Sequence, residues 1–174
     1  MVKKRFSKFT HEQIVEFFRR SYLAADGLWF LKTEERLGFD GALEIDNEVW
    51  KILPKIQVRL IKEMMGLDKG VEALVECYTA KLALHGFQFK TEKRGNEFRI
   101  AVGRCPWHEI MVNSKRGHLS TRIGNLICRT ETAVWAGEFG DSIVSRIDPG
   151  LCEGSKTCVI SFSEKFPLPS VGEE

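Results

Sequence analysis

The sequence contains no apolar run of about 18 residues, the length that a membrane-spanning helix needs. An excess of one charge is also missing, because 26 lysines and arginines against 24 aspartates and glutamates leave a net charge of +2. Proteins that bind nucleic acid usually carry a strong basic excess. We therefore expect no membrane span and no nucleic-acid partner.

Common signatures of catalysis are absent as well, since the chain has no P-loop, no G-x-G-x-x-G and no G-x-S-x-G. The basic residues 1–9 are followed by no apolar segment, which argues against a secretory signal. The five cysteines form an odd number that cannot pair completely within one chain. The sequence therefore predicts a cytoplasmic protein with reduced thiols.

The first half of the chain, residues 1–86, has helical periodicity. A T-x-x-Q capping box precedes the first helix, which we expect to end at Gly38. A second helix begins near Asp40 and contains Pro54, which should kink it. A third helix occupies about residues 68–85, so this half is predicted to form a helical layer.

The second half alternates in the manner of strands and contains two further helices. The sequence predicts an α+β fold, in which the helical N-terminal layer is followed by an antiparallel sheet of about four strands packed against helices. We divide the chain into a helical region (1–86), an α+β ligand-binding region (87–166) and a flexible tail (167–174).

Cys105 precedes Pro106 at a predicted helix start. Backbone N–H groups and the helix dipole are expected to stabilise a thiolate there and lower the thiol pKa. His108 follows one turn later on the same face. The pair can be two metal ligands, a nucleophile with its base, or a capping cysteine with a surface histidine.

A second group lies on the last predicted helix, where Cys128, Glu131 and Trp135 share a face. A carboxylate beside a thiol and an indole suits a pocket wall, because a buried carboxylate needs a partner. The alternative is that Glu131 lies at the edge of the apolar stripe and reaches water. Glu131 joins Cys105 and His108 as a candidate catalytic residue.

Cys152 and Cys158 flank a turn with C-x5-C spacing, which differs from a zinc knuckle and equally fits two cysteines at a hairpin base. Zinc is the cofactor we consider if the fold gathers these residues. The candidate metal ligands are Cys105, His108, Cys128, Cys152 and Cys158. The candidate ligand-binding residues are Trp107, Cys128, Trp135 and His118.

The remaining candidates have simpler interpretations. Cys77 is expected in the core, and His85 is expected to interact favourably with a helix C-terminus. The aromatic residues of the first half suit a core or a homodimer interface, which makes a second copy of the chain one expected partner.

The α+β half resembles the L-2-amino-thiazoline-4-carboxylic acid hydrolase-like family and an uncharacterised prokaryotic branch close to it. The similarity lies in Cys105–Ile110, Ile127–Glu131, Trp135–Gly140 and Leu151–Cys158. More distantly it is similar to four-vinyl-reductase small-molecule-binding domains. The resemblance implies an α+β domain with a pocket between helices and sheet, and an enzyme that opens a sulfur-containing ring with water.

Three functions follow as hypotheses. The first is a hydrolase-like protein acting on a small cyclic amide-like or sulfur-containing molecule in a pocket lined by cysteine and histidine. The second is a non-catalytic domain that senses a small molecule or a metal. The third is a dimeric structural or adaptor module built on the helical half.

Overall fold

The computed structural model describes residues 8–148 and 150–165. The predicted tail and the first seven residues of the basic N-terminus lie outside the described residues. Within them, no helix is both long and apolar enough to cross a membrane.

A long kinked helix, α1 (His11–Trp50), forms the first layer. The capping box is present, since Thr10 Oγ1 accepts from the Gln13 backbone N–H while the Thr10 N–H donates to the Gln13 side chain. Gly38 interrupts the helix at φ 73°, ψ 171°, a backbone conformation that favours glycine. The kink separates an N-terminal arm (residues 11–37) from a C-terminal arm (residues 39–50).

The prediction that Pro54 kinks a continuous helix is wrong. The chain leaves α1 at Lys51, and a new helix, α2 (Leu53–Met65), begins with Pro54 in its first turn. The missing N–H of proline costs nothing at that position. A third helix, α3 (Val71–Leu84), follows.

The second half confirms the predicted α+β architecture. Its four strands are β1 (Gln88–Arg94), β2 (Glu97–Arg104), β3 (Ile143–Asp148) and β4 (Cys158–Glu164), and its two helices are α4 (Pro106–Asn113) and α5 (Ser120–Phe139). All neighbouring strands pair antiparallel in the order β1-β2-β4-β3. This order brings the two hairpins together through β2 and β4.

Two apolar clusters hold the layers together. The larger lies between the sheet and α2, α3 and α5, and includes Tyr78, Trp135 and Phe162. The smaller joins α1 to α5 through Leu43, Trp50 and Ile127. The helical layer is therefore packed against the α+β region through both clusters, with α2 and α3 in the larger one and α1 in the smaller one.

Candidate functional site

The fold brings together the four cysteines of the second half. Cys158 on β4 pairs with Val102 on β2, and Cys105 follows β2. The four thiols lie near one another, because a thiolate charge on Cys105, Cys152 or Cys158 would raise the pKa of Cys128. Gly124 of α5 permits this approach, because a Cβ there would lie 3.1 Å from the Cys152 Sγ.

The prediction of a lowered pKa at Cys105 is wrong. The residue does precede α4, and the backbone N–H groups of His108 and Trp107 do favour its thiolate. Burial outweighs them and raises the pKa of Cys105 to about 11. Burial also raises the pKa of Cys128, Cys152 and Cys158, so all four thiols are neutral at physiological pH.

The four thiols do not form a metal site within the described part of the chain. Among residues 8–148 and 150–165, no group of three or more histidines, cysteines, aspartates or glutamates is arranged to hold a metal ion. The predicted set of Cys105, His108, Cys128, Cys152 and Cys158 is thus not gathered into such a group among these residues, and zinc binding stays a prediction. His118, a predicted ligand-binding residue, lies exposed in a short 3-10 turn.

Glu131 is buried, and the alternative that it reaches water is wrong. The Lys81 ammonium of α3 donates to its Oε1, and the two residues are 2% and 7% exposed. Trp135 is fully buried and packs against Tyr78, with ring centroids 5.1 Å apart. The shared face of Cys128, Glu131 and Trp135 is thus a wall of the core containing one compensated ion pair.

A second polar cluster lies where α1 meets the other helices, and we call it the polar interface. Its aromatic part is a chain of contacts: the Tyr22 and Trp107 rings are 5.8 Å apart, and those of Trp107 and Trp50 are 6.1 Å apart. Tyr22 also lies 5.3 Å from the His85 ring. The polar interface comprises Tyr22, Asp26, Asp46, Trp50, Gln57, His85 and Trp107.

Two carboxylates of the polar interface lie on the two arms of α1, close enough for the charge of Asp26 to act on Asp46. Burial raises the pKa of Asp26 to about 6. Burial, and then the charge of Asp26, raises the pKa of Asp46 to about 7, which the Trp50 side chain partly opposes. No ion pair compensates either carboxylate within the described residues.

Several neutral groups of the polar interface are also unsatisfied. The Tyr22 Oη, Gln57 Oε1 and His85 Nδ1 atoms are buried and lack a hydrogen bond of ordinary geometry in the described part of the chain, although the Gln57 side chain lies close enough to Tyr22 to oppose the rise in the pKa of its hydroxyl. Burial, with the charge of Lys81, lowers the pKa of His85 to about 3, so the ring is neutral. The prediction that His85 is a cation favoured by a helix C-terminus is therefore wrong.

Sequence reasoning placed only Trp107 of this cluster among the candidate ligand-binding residues. Helical spacing could have indicated four of the other residues of the polar interface. Tyr22 and Asp26 are four residues apart, as are Asp46 and Trp50, so each arm sets a carboxylate beside an aromatic residue on one face. That the two faces meet depends on the kink at Gly38, which spacing alone does not predict.

The sequence model of a protein family of unknown function (DUF6125) matches residues 4–150 of this chain. The match covers most of the chain, so this protein belongs to that family. No curated protein and no solved structure matches the chain.

Proposed function

We propose that this protein binds a small polar molecule at the polar interface. The observation that carries the proposal is that two partly buried carboxylates have no ion pair, and three buried neutral side-chain atoms lack a hydrogen bond of ordinary geometry, in the described part of the chain. Folded proteins pair almost all such groups, since each orphan costs about 1–3 kcal/mol. A ligand that pairs them recovers this free energy.

The test is a screen of polar small molecules by NMR, with the four tryptophan indole N–H signals as reporters. A ligand of the polar interface is expected to shift the signals of Trp50 and Trp107 and to leave those of Trp29 and Trp135 in place. Tyr22→Phe, which removes one unpaired hydroxyl, should weaken the same ligand. Shifts confined to Trp29 or Trp135, or no shift with any compound, would contradict the proposal.

Hydrolysis is the second candidate function, and the carboxylate pair favours it. With pKa values of about 6 and 7, one of Asp26 and Asp46 can hold a proton at neutral pH while the other accepts one. The family resemblance adds the substrate class of small sulfur-containing or cyclic amide-like rings. In such a reaction water adds to the ring carbon, the carbon–sulfur bond breaks, and sulfur leaves as a thiol.

The assay is the release of thiol from L-2-amino-thiazoline-4-carboxylic acid, measured with a chromogenic reagent after the protein is removed by filtration. Wild-type protein should release thiol, Asp46→Asn should not, and the exposed Glu44→Gln on the same arm should behave as wild type. Equal release with Asp46→Asn, or none with wild type, rules out this chemistry at the carboxylate pair.

A homodimer through the helical half is a further proposal. Five large apolar side chains of the N-terminal arm are more than half exposed: Phe17, Phe18, Leu28, Trp29 and Leu37. An exposed apolar stripe of this kind is typical of an association surface. Sedimentation equilibrium should show a dimer that Trp29→Glu converts to monomer. A wild-type monomer at all concentrations would contradict the proposal.

A cytoplasmic location is also proposed, and the free state of all five cysteines supports it.

A further inference from the structure

The N-terminal arm of α1 presents a regular stripe of residues on the side that faces away from the protein. Apolar or small side chains recur along it at alternating intervals of three and four residues, the repeat by which helices pair in a coiled coil. Phe17, Leu28 and Leu31 of this stripe are 65%, 58% and 37% exposed, whereas Leu23, on the face turned toward the protein, is buried. We call the stripe the arm seam, and its members are Ile14, Phe17, Ser21, Ala24, Leu28 and Leu31.

The exposed apolar area of the arm is large enough for an interface. Phe18 and Trp29 are about three helical turns apart, so they flank the arm seam on the same side. Phe17, Phe18 and Trp29 are 61% to 66% exposed, and these three rings alone present about 400 Å² to solvent. A stable interface takes about 800 Å² from each partner, and the other members of the arm seam add to the aromatic contribution. The arm therefore exposes an area of the size that a second protein surface covers.

The arm seam is complementary to itself when a second copy runs in the opposite direction. Its members form three pairs whose residue numbers each add to 45, so a two-fold axis between residues 22 and 23 sets the members of each pair opposite each other. Large side chains then meet at both ends, and small ones at the centre let the helices approach closely. Such a contact uses the same patch on both copies and closes at a dimer. The pairs are Ile14 with Leu31, Phe17 with Leu28, and Ser21 with Ala24.

Charge distinguishes this orientation from a parallel one. Residues 1–11 contain four lysines and arginines and no acidic residue. Residues 34–44, at the kink end of the arm, contain four acidic residues against the single Arg36, which leaves a net charge of −3. An antiparallel pair brings the basic end of one arm to the acidic end of the other, whereas a parallel pair brings like charges together. Complementary charge therefore favours the antiparallel orientation.

We propose that two copies of this chain pair through the arm seam as an antiparallel two-helix contact, with Phe17 of one copy packed against Leu28 of the other. This proposal rests on the proposed homodimer and specifies its surface and its orientation. Phe18 of one copy and Trp29 of the other lie at nearly the same level on one flank of the contact, so the exposed rings cover each other.

Sedimentation equilibrium of the full chain tests the surface. Phe17→Glu and Leu28→Lys should each weaken dimer association at least tenfold, because each places a charge in an apolar layer. The double variant F17E/L28K should recover most of the association, since the antiparallel register sets the two introduced charges opposite each other. The matched control is Leu60→Glu, which places a charge on an exposed apolar position of α2 and should leave association unchanged. Association of the wild type should also weaken as salt concentration rises.

Cross-linking tests the orientation. Phe17→Cys and Leu28→Cys proteins that carry tags of different size are mixed and treated with a short bismaleimide, and denaturing electrophoresis separates the products. An antiparallel pair sets position 17 of one variant opposite position 28 of the other, so the mixed dimer should predominate and each variant alone should remain largely unlinked. Wild-type protein treated in the same way measures any reaction of the native cysteines.

The other outcomes each overturn a defined part of the proposal. A wild-type monomer at all concentrations rejects both the arm seam and the proposed homodimer. A dimer that survives Phe17→Glu and Leu28→Lys but dissociates with Leu60→Glu retains the homodimer and rejects the arm seam. Links formed within each cysteine variant, without a mixed product, reject the antiparallel orientation. Circular dichroism of the variants confirms folding, which substitution at exposed positions should preserve.

Discussion

The two buried polar clusters of this protein differ in how their charges are compensated. Between α3 and α5, the Lys81 ammonium is matched by Glu131, and burial keeps the neighbouring thiols neutral. In the polar interface, Asp26 and Asp46 are partly buried and form no ion pair in the described part of the chain. The charges of the first cluster are therefore compensated within the core, whereas the two carboxylates of the second have no ion-pair partner in the described part of the chain.

Breaking the compensated pair should have the largest effect on stability. Lys81→Met leaves the Glu131 carboxylate buried without a partner, and removing one member of a buried pair typically costs about 3–5 kcal/mol. We expect a loss of this size in the free energy of unfolding, measured by urea denaturation at pH 7.

The matched control is the double variant Lys81→Met with Glu131→Leu. It replaces both charges by apolar groups, which is often nearly neutral. It should recover most of the lost stability. A single variant that costs less than about 1 kcal/mol would show that Glu131 gains solvent or another partner.

Removing the uncompensated charge of Asp46 should stabilise the protein, whereas breaking the Lys81–Glu131 pair destabilises it. The folded pKa of Asp46 lies at about 7, above its ordinary value of 3.8, so the folded state binds more protons in this window. The contribution of Asp46 to stability therefore falls as pH rises from about 4 to 7, whereas His85, whose pKa is lowered to about 3, contributes in the opposite sense. Asp46→Asn should stabilise the protein at pH 8 by about 1–2 kcal/mol, since partial exposure screens the charge.

At pH 4, where the wild-type carboxyl is protonated, the same substitution should have little effect. Glu44→Gln, on the exposed side of the same arm, should change stability at neither pH. Urea denaturation at both pH values measures the difference. A destabilising Asp46→Asn at pH 8 would indicate that the carboxylate has a partner after all.

Substituting a thiol should change stability by no more than the Asp46 substitution does, and it should leave ligand binding unchanged. Cys105→Ser replaces one neutral buried group by another and is expected to cost about 1–2 kcal/mol. Because the pKa of Cys105 is about 11, iodoacetamide at pH 7.5 should modify it more slowly than a cysteine in an unfolded peptide. Mass spectrometry of the modified protein gives the rate. Faster modification at Cys105 than in the peptide would return it to the list of nucleophiles.

Local patterns were sufficient to predict much of the fold. The capping box, the glycine at position 38 and the alternation in the strands each specify backbone geometry within a few residues, and the predicted sheet and helices are present. Pro54 was misjudged because a proline fits a helix start as well as it disrupts a helix interior. The choice between the two depends on where α1 ends.

The site was harder to predict, because burial is a property of the assembled layers. A cysteine at a helix start indicates a low pKa until the packing around Cys105 is known, and then desolvation dominates. Likewise, Asp26 and Asp46 are ordinary helical carboxylates in sequence. They become neighbours only when α1 bends at Gly38.

The pKa values of Asp26 and Asp46 test the central claim most directly. A carboxyl-detected NMR titration of the full chain, with each resonance assigned through its asparagine variant, measures both. Uncompensated burial predicts that Asp26 titrates at about pH 6 and Asp46 at about pH 7. Titration of both carboxyls near pH 4, as in an unfolded peptide, would show that they are solvated or paired and would contradict the account.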